Sequence, residues 1–230
     1  MTRAPDTQTH VFRHCPDFPA EREILSALLP PGMRVLDVGT AATGRSARLL
    51  RELGADVVSI DFNPAAIDEF AQTGDRRLIQ LAAADLCALP FPARSFSLVL
   101  VAFHGMDYLL DEEARQQAFR EAYRVLQPGG SLVFNGFNRL GLILSPDYLD
   151  VPKVRRLRIR YLLRAGFLRR TLRDPAGLEL YQASPRETIH AVEAAAGFHF
   201  RFVTDLKGRS RSQLRVSLLA TEPYYVFQRD

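Results

Sequence analysis

Cysteine is scarce in this chain. Cys15 and Cys87 are its only two, so at most one bridge can form and no cysteine-based metal spacing exists. Both thiols are expected to be reduced and the chain cytoplasmic, and no metal site is read. Long apolar runs are lacking as well: the longest, 98–103, is far short of the roughly 20 residues a bilayer crossing needs. Residues 1–10 are polar and lack an apolar stretch of signal-peptide length, so no targeting segment is read there. One segment lacks acidic residues altogether. Residues 153–173 hold eight Arg and one Lys and carry +9 against +4 for the whole chain, which leaves −5 for the rest. Basic character therefore belongs to one segment. What remains is ordinary for a globular domain, 47% hydrophobic and 24% charged, and 230 residues suit one α/β domain with a sizeable core or a modest insertion.

The stretch Val35-Leu36-Asp37-Val38-Gly39-Thr40-Ala41-Ala42-Thr43-Gly44-Arg45 organises that domain. It opens as a buried β-branched and aliphatic strand after the punctuating Pro30-Pro31-Gly32 and turns into a loop of Gly, Ala and Thr. The run 46–53 that follows reads as a helix. Small residues let the backbone approach a ligand, and the helix would present its first N–H groups to it. Further on, Asp56-Val57-Val58-Ser59-Ile60-Asp61 is a second buried strand with a carboxylate at its end, where an open parallel sheet places the acceptor for ribose hydroxyls. Nicotinamide dinucleotides and S-adenosylmethionine both suit this layout.

Residues 1–19 hold Pro5, Pro16 and Pro19 without periodicity and read as an arm, with His10, Phe12, His14 and Phe18 on it. Residues 20–230 form the main domain. A helix over 21–29 precedes the first strand. Asn63-Pro64 supplies an N-cap with Pro at the first helical position. Residues 77–82 read as a third strand, and 96–103 as a fourth so uniformly apolar that both faces must be covered. A helix over 111–126 is stopped by Gln127-Pro128-Gly129-Gly130, and Ser131-Leu132-Val133-Phe134-Asn135 is a fifth strand. Residues 139–183 read as a mainly helical insertion. A capping box at Ser184-Pro185-Arg186-Glu187 starts a helix to Ala196, and 199–205 with 213–221 read as a closing hairpin. The alternation predicts an α/β fold: a doubly wound, mostly parallel, seven-stranded sheet whose last strand is antiparallel.

With these elements in order, the chain resembles the class I S-adenosylmethionine-dependent methyltransferases, in particular the small-molecule group of ubiquinone and menaquinone biosynthesis. The matching residues are Val35 to Gly39, Ile60-Asp61, Ala84-Asp85-Leu86 with Leu89-Pro90-Phe91, Phe96 to Val99, and Glu121 to Gly130, with Ala194-Ala195-Ala196-Gly197-Phe198 resembling a late helix end. The resemblance implies S-adenosyl-L-methionine as cofactor. Position by position, it implies that Asp37, Gly39, Thr40, Ala41 and Gly44 face the methionine part, that Asp61 holds the ribose hydroxyls, and that Phe62 lines the adenine pocket. Asp85 would accept the adenine amino group, with Leu86 supplying a backbone contact; turn capping is the structural alternative for Asp85. Two departures stand out: the loop lacks the middle Gly of the usual pattern and is one residue longer, and Ser97 stands where the family often has Asp. A forced positive φ at an Ala costs about 1 kcal/mol or more.

Methyl transfer from a sulfonium needs positioning and water exclusion, and a base only if the acceptor must lose a proton. His104, Asp107 and Tyr108 follow the fourth strand and are the catalytic candidates, His104 first because a neutral imidazole takes a proton near pH 7. Tyr148, Tyr161 and Tyr181 join the Arg-rich segment in the acceptor cap. The expected acceptor is a small molecule. The Arg run leaves RNA or protein as alternative acceptors, a membrane surface as a docking partner, and a non-catalytic or nicotinamide-binding module as the remaining alternative.

Overall fold

The computed structural model describes residues 18–73, 79–145, 159, 168–173 and 177–230. Its centre is a seven-stranded sheet of order β3-β2-β1-β4-β5-β10-β9, built from β1 (Arg34–Val38), β2 (Asp56–Asp61), β3 (Gln80–Ala83), β4 (Phe96–Val101), β5 (Leu126–Asn135), β9 (Phe198–Thr204) and β10 (Tyr224–Arg229). Strands β1 to β5 pair in parallel, and β10 lies antiparallel between β5 and β9. The doubly wound sheet with an antiparallel closing strand is as expected.

Helices cover both faces, and the two cores follow the strand period of two. Val35, Val57, Leu98, Leu100 and Val226 pack with α1 (Pro19–Leu28) and α2 (Arg45–Glu52) on one face. Leu36, Val58, Val99, Val101 and Phe227 pack with α4 (Glu112–Val125) and α6 (Pro185–Ala195) on the other. The capping devices read from the sequence are present: Asn63 Oδ1 accepts from Ala65 N at the start of α3 (Pro64–Ala71), and Ser184 and Glu187 form a reciprocal capping box on α6.

Three elements differ from the sequence reading. Segment 213–221 is not a strand. Its residues form α7 (Gln213–Leu219), capped by Ser212 accepting from Arg215 N, with Val216 and Ala220 inward and Leu214 and Leu218 exposed. That spacing of four is helical, and the true closing strand is β10. Strand β5 begins at Leu126, immediately after α4, so the Pro-Gly-Gly corner lies inside it, with a register shift opposite Phe96 and Leu98. The described part of the insertion holds helix α5 (Gly141–Leu144) and two strands, β7 (Thr171–Arg173) and β8 (Glu179–Ala183), which join β6 (Phe137–Asn138) just before it in a three-stranded sheet of order β6-β8-β7. The arm to residue 17, Tyr148, Tyr161 and Arg155, Arg156, Arg158, Arg160 and Arg164 lie outside the described residues.

Candidate active site at the carboxyl edge of the sheet

The chain leaves β1 through Gly39, at φ 79°, and reaches Ala41 at φ 52° and Gly44 at φ 57° before α2 begins. Ala41 thus adopts the left-handed conformation that the sequence reading priced at about 1 kcal/mol or more. A compensating bond is visible. The Ala41 amide donates to Asp61 Oδ2 at 2.9 Å, while Asp61 Oδ1 accepts from Asn63 N at 2.8 Å. The carboxylate ending β2 is therefore lashed to the loop ending β1, and each oxygen keeps a second acceptor position for a ligand. Burial raises the pKa of Asp61, against the pull of these two amides. Gly44 is fixed by packing: a Cβ there would stand 2.0 Å from Phe70 Cζ.

Asp37 sits wholly inside the protein beneath this loop. Its Oδ2 accepts from the Ser59 hydroxyl at 3.0 Å across the β1–β2 register. Burial pushes its pKa up to about 6, against the hydroxyls of Ser46, Thr40 and Ser59, with the Glu21 charge adding to the rise. Ser46 and Thr40 lie near enough to act on the carboxyl, but only the Ser59 bond has hydrogen-bond geometry, so Asp37 Oδ1 and Thr40 Oγ1 have no partner among the described residues. Two buried polar atoms below an open Gly39, whose missing Cβ would meet nothing within 4 Å, fit a ligand that brings hydrogen-bond donors and a positive charge. The methionine end of S-adenosylmethionine has both.

Just after β2, Phe62 is 61% exposed. Asp85 accepts from Cys87 N at 2.8 Å through Oδ1, so the turn-capping role set aside as an alternative is present on one oxygen. Leu86 is buried in the core, which confines any contact it makes with a ligand to its backbone. The neighbouring loop is clamped to α4: Leu89 N donates to Glu121 Oε2, and Arg124 donates to the carbonyls of Leu89 and Phe91 at 2.9 and 2.7 Å. This explains why Leu89-Pro90-Phe91 and the Glu121 to Arg124 motif occur together. Ser97 donates to Gln127 Oε1 at 3.3 Å, tying the start of β4 to the corner.

Beyond β4, Phe103 and His104 are consecutive non-glycine residues with positive φ, 47° and 64°. Each costs of order 1–3 kcal/mol, and such strain persists only where surroundings over-determine it. Here they do. Phe103 stacks on Phe18 at 5.9 Å, and the His104 amide donates to Asn135 Oδ1 at 3.1 Å. The His104 ring lies 3.9 Å from Phe137 at 10°, with Nδ1 2.9 Å from Asp107 Oδ2 and Nε2 3.1 Å from Glu222 Oε2.

This geometry favours a charged His104 over the neutral ring expected from the sequence. Burial pulls its pKa down, but hydrogen bonds to Asp107 and Glu222, and their charges, outweigh burial and bring it up to about 9. Both ring nitrogens face carboxylates, which favours the imidazolium at neutral pH. Asp107 is also interior: it is buried, and its Oδ2 accepts from Phe137 N at 2.8 Å. Tyr108 is half-buried in the 3₁₀ turn Gly105–Tyr108. Tyr181, expected in the acceptor cap, is buried with the Arg115 guanidinium 3.7 Å from its ring centre, and its hydroxyl accepts from Arg170.

Sequence reasoning missed Glu222, because reading 213–221 as the last strand placed it beyond the sheet. It also missed Glu21, fully buried, which pairs bidentately with Arg45 at 2.6 and 3.1 Å and accepts from the Tyr224 hydroxyl. Only the fold brings α1, the start of α2 and β10 together. Among the described residues no cluster of His, Cys, Asp or Glu could hold a metal ion, and no helix is long and apolar enough to cross a membrane.

The sequence from 36 to 134 matches a family model described as a methyltransferase domain. Demethylmenaquinone methyltransferase of Thermus thermophilus is 34% identical over 191 residues, which cover 79% of this chain and 81% of that one. The chain belongs to the class I S-adenosylmethionine-dependent methyltransferases. A second relative in this methyltransferase family, demethylmenaquinone methyltransferase of Renibacterium salmoninarum, is 38% identical over 110 residues, covering 47% of this chain and 43% of that enzyme's length. Among solved structures, the CcbJ methyltransferase from Streptomyces caelestis superposes with a TM-score of 0.69 at 20% identity, over 96% of this chain and 95% of that one, a likeness of fold. S-adenosylmethionine is the family's cofactor, and the fit of the orphaned Asp37 and Thr40 oxygens agrees with it.

Proposed function

We propose that this methyltransferase acts on a small-molecule acceptor of the quinone type, bound over the carboxyl ends of β4 and β5. The acceptor class is supported by relatives named for demethylmenaquinone and for ubiquinone and menaquinone C-methylation. In this reading Asp37, Gly39, Thr40, Ala41 and Gly44 surround the methionine part of the cofactor. Asp61 takes the ribose hydroxyls on its remaining acceptor positions, Phe62 covers the adenine, and Asp85 with the Leu86 backbone meets its polar edge. The cofactor supplies an activated methyl group; the chain supplies orientation and exclusion of water.

The observation that supports the reading is the 2.9 Å bond from the Ala41 amide to Asp61, which joins the loop after β1 to the carboxylate ending β2, the two parts we assign to the cofactor. Calorimetry with S-adenosylhomocysteine tests it. Asp61→Ala is expected to weaken binding about tenfold to a hundredfold, the worth of a charged hydrogen bond, and Asp85→Ala by a similar or smaller factor. Unchanged affinity in both variants would remove the assignment.

A further inference from the structure

The loop entering β10 carries a carboxylate that the cofactor site does not use. Thr221 O accepts from Asn138 N at 2.8 Å and Pro223 O accepts from Gly136 N at 3.3 Å, which fixes Glu222 just beyond the carboxyl end of β5. Its Oε2 faces His104 Nε2 at 3.1 Å, and the other ring nitrogen faces Asp107 at 2.9 Å. The result is a carboxylate, imidazolium, carboxylate chain. Phe137 lies flat against the ring at 3.9 Å and helps to hold its orientation.

The two carboxylates differ. The Asp107 side chain is 4% exposed, whereas that of Glu222 is 21% exposed and its Oε1 accepts no hydrogen bond among the described residues. Glu222 is thus the open end of the chain, at the sheet edge where a doubly wound fold opens its cleft. The half-buried rings of Phe103 and Phe137 border His104 beside it and make the surroundings of Glu222 aromatic. A fixed imidazolium next to the base opposes an ammonium acceptor and favours the anion left when a hydroxyl ionises.

We propose that Glu222 is the base that receives the proton of the acceptor's ring hydroxyl, the acceptor being of the quinol type proposed above. The proposal rests on the methyltransferase reading above. The hydroxyl O–H bond breaks and its proton passes to Glu222 Oε1. The freed electron pair forms the new bond to the methyl carbon, on the oxygen or through the ring on a carbon beside it. The methyl–sulfur bond breaks with its pair kept by sulfur, and in the carbon case the ring proton is then lost to water. His104 and Asp107 act as positioning residues that aim Glu222.

The first test reads binding alone. Protein saturated with S-adenosylhomocysteine is titrated with 2-naphthol and with its methyl ether, 2-methoxynaphthalene. The native protein is expected to prefer the hydroxyl about tenfold or more, and Glu222→Ala to bring that preference within threefold. No preference in the native protein, or the same preference in the variant, overturns the proposal. The second test is turnover of reduced demethylmenaquinone, with Glu222→Gln as the isosteric variant. Its kcat is expected to fall 10²- to 10⁴-fold while S-adenosylhomocysteine affinity stays within threefold. Retained kcat, lost cofactor affinity, or native protein that methylates amines in place of hydroxyarenes overturns the assignment. Native protein that binds no S-adenosylhomocysteine sinks the underlying methyltransferase reading instead.

Discussion

Between pH 6.5 and 9 the protein should lose about 3 kcal/mol of stability through one side chain, His104. In an unfolded chain its imidazole titrates at 6.5, and in the fold at about 9. Below pH 6.5 both states hold the proton and the full benefit is present. Above it the unfolded chain has released the proton while the fold keeps it, so each pH unit removes about 1.4 kcal/mol until the folded group also titrates. The shift of about 2.5 units therefore amounts to about 3 kcal/mol, with no discount for solvent because the ring is 5% exposed. The groups facing it are Asp107 from its own turn, with Arg115 of α4 behind that carboxylate, Glu222 from the β10 loop, the Asn135 amide and the Phe137 ring. Asp37 titrates below this window and Cys87, pushed up to about 11, above it. Urea unfolding at pH 6, 7, 8 and 9 measures the effect. The native midpoint should fall by about 1 M or more over this range, and His104→Gln should flatten the fall. A native midpoint that stays level, or a variant that falls as steeply, would refute the imidazolium between two carboxylates.

At lower pH Asp37 works in the same direction. Its folded pKa of about 6 lies above 3.8, so stability is lost as pH rises through that interval, by up to about 3 kcal/mol, and the stability difference between Asp37→Asn and the native protein should grow from pH 4 to pH 6. An identical profile for both proteins counts against a buried, half-partnered carboxylate. Ala41→Gly should raise the melting temperature by a few degrees, since it relieves a left-handed alanine worth about 1 kcal/mol; a lowered temperature would show that the strain is not there. Gly44→Ala should cost about 2–4 kcal/mol in urea unfolding, because its Cβ would overlap the buried Phe70 ring at positive φ, and a neutral result would contradict that packing.

The elements that carry the residues proposed for the cofactor were largely legible in the sequence, because they are local. A buried strand, a loop of small residues and a helix occupy 34–52 consecutively, and the carboxylates Asp61 and Asp85 follow strands whose apolar runs announce themselves. The closing strand was misplaced for an equally local reason. In 213–221 apolar residues recur at both strand-like and helical intervals, and the Ser212 cap with inward Val216 and Ala220 decides for the helix only when there is a core to face.

Strand periodicity and the order of motifs determined the sheet, its family and the carboxylates at its carboxyl edge, since each is written in neighbouring residues. The tertiary structure alone decided the charge of His104 and the place of Glu222. A pKa depends on groups brought within 3.1 Å from positions 118 residues apart, and no spacing along the chain encodes that meeting. The same holds for Glu21, whose burial becomes tolerable only because Arg45 and Tyr224 arrive beside it from other elements.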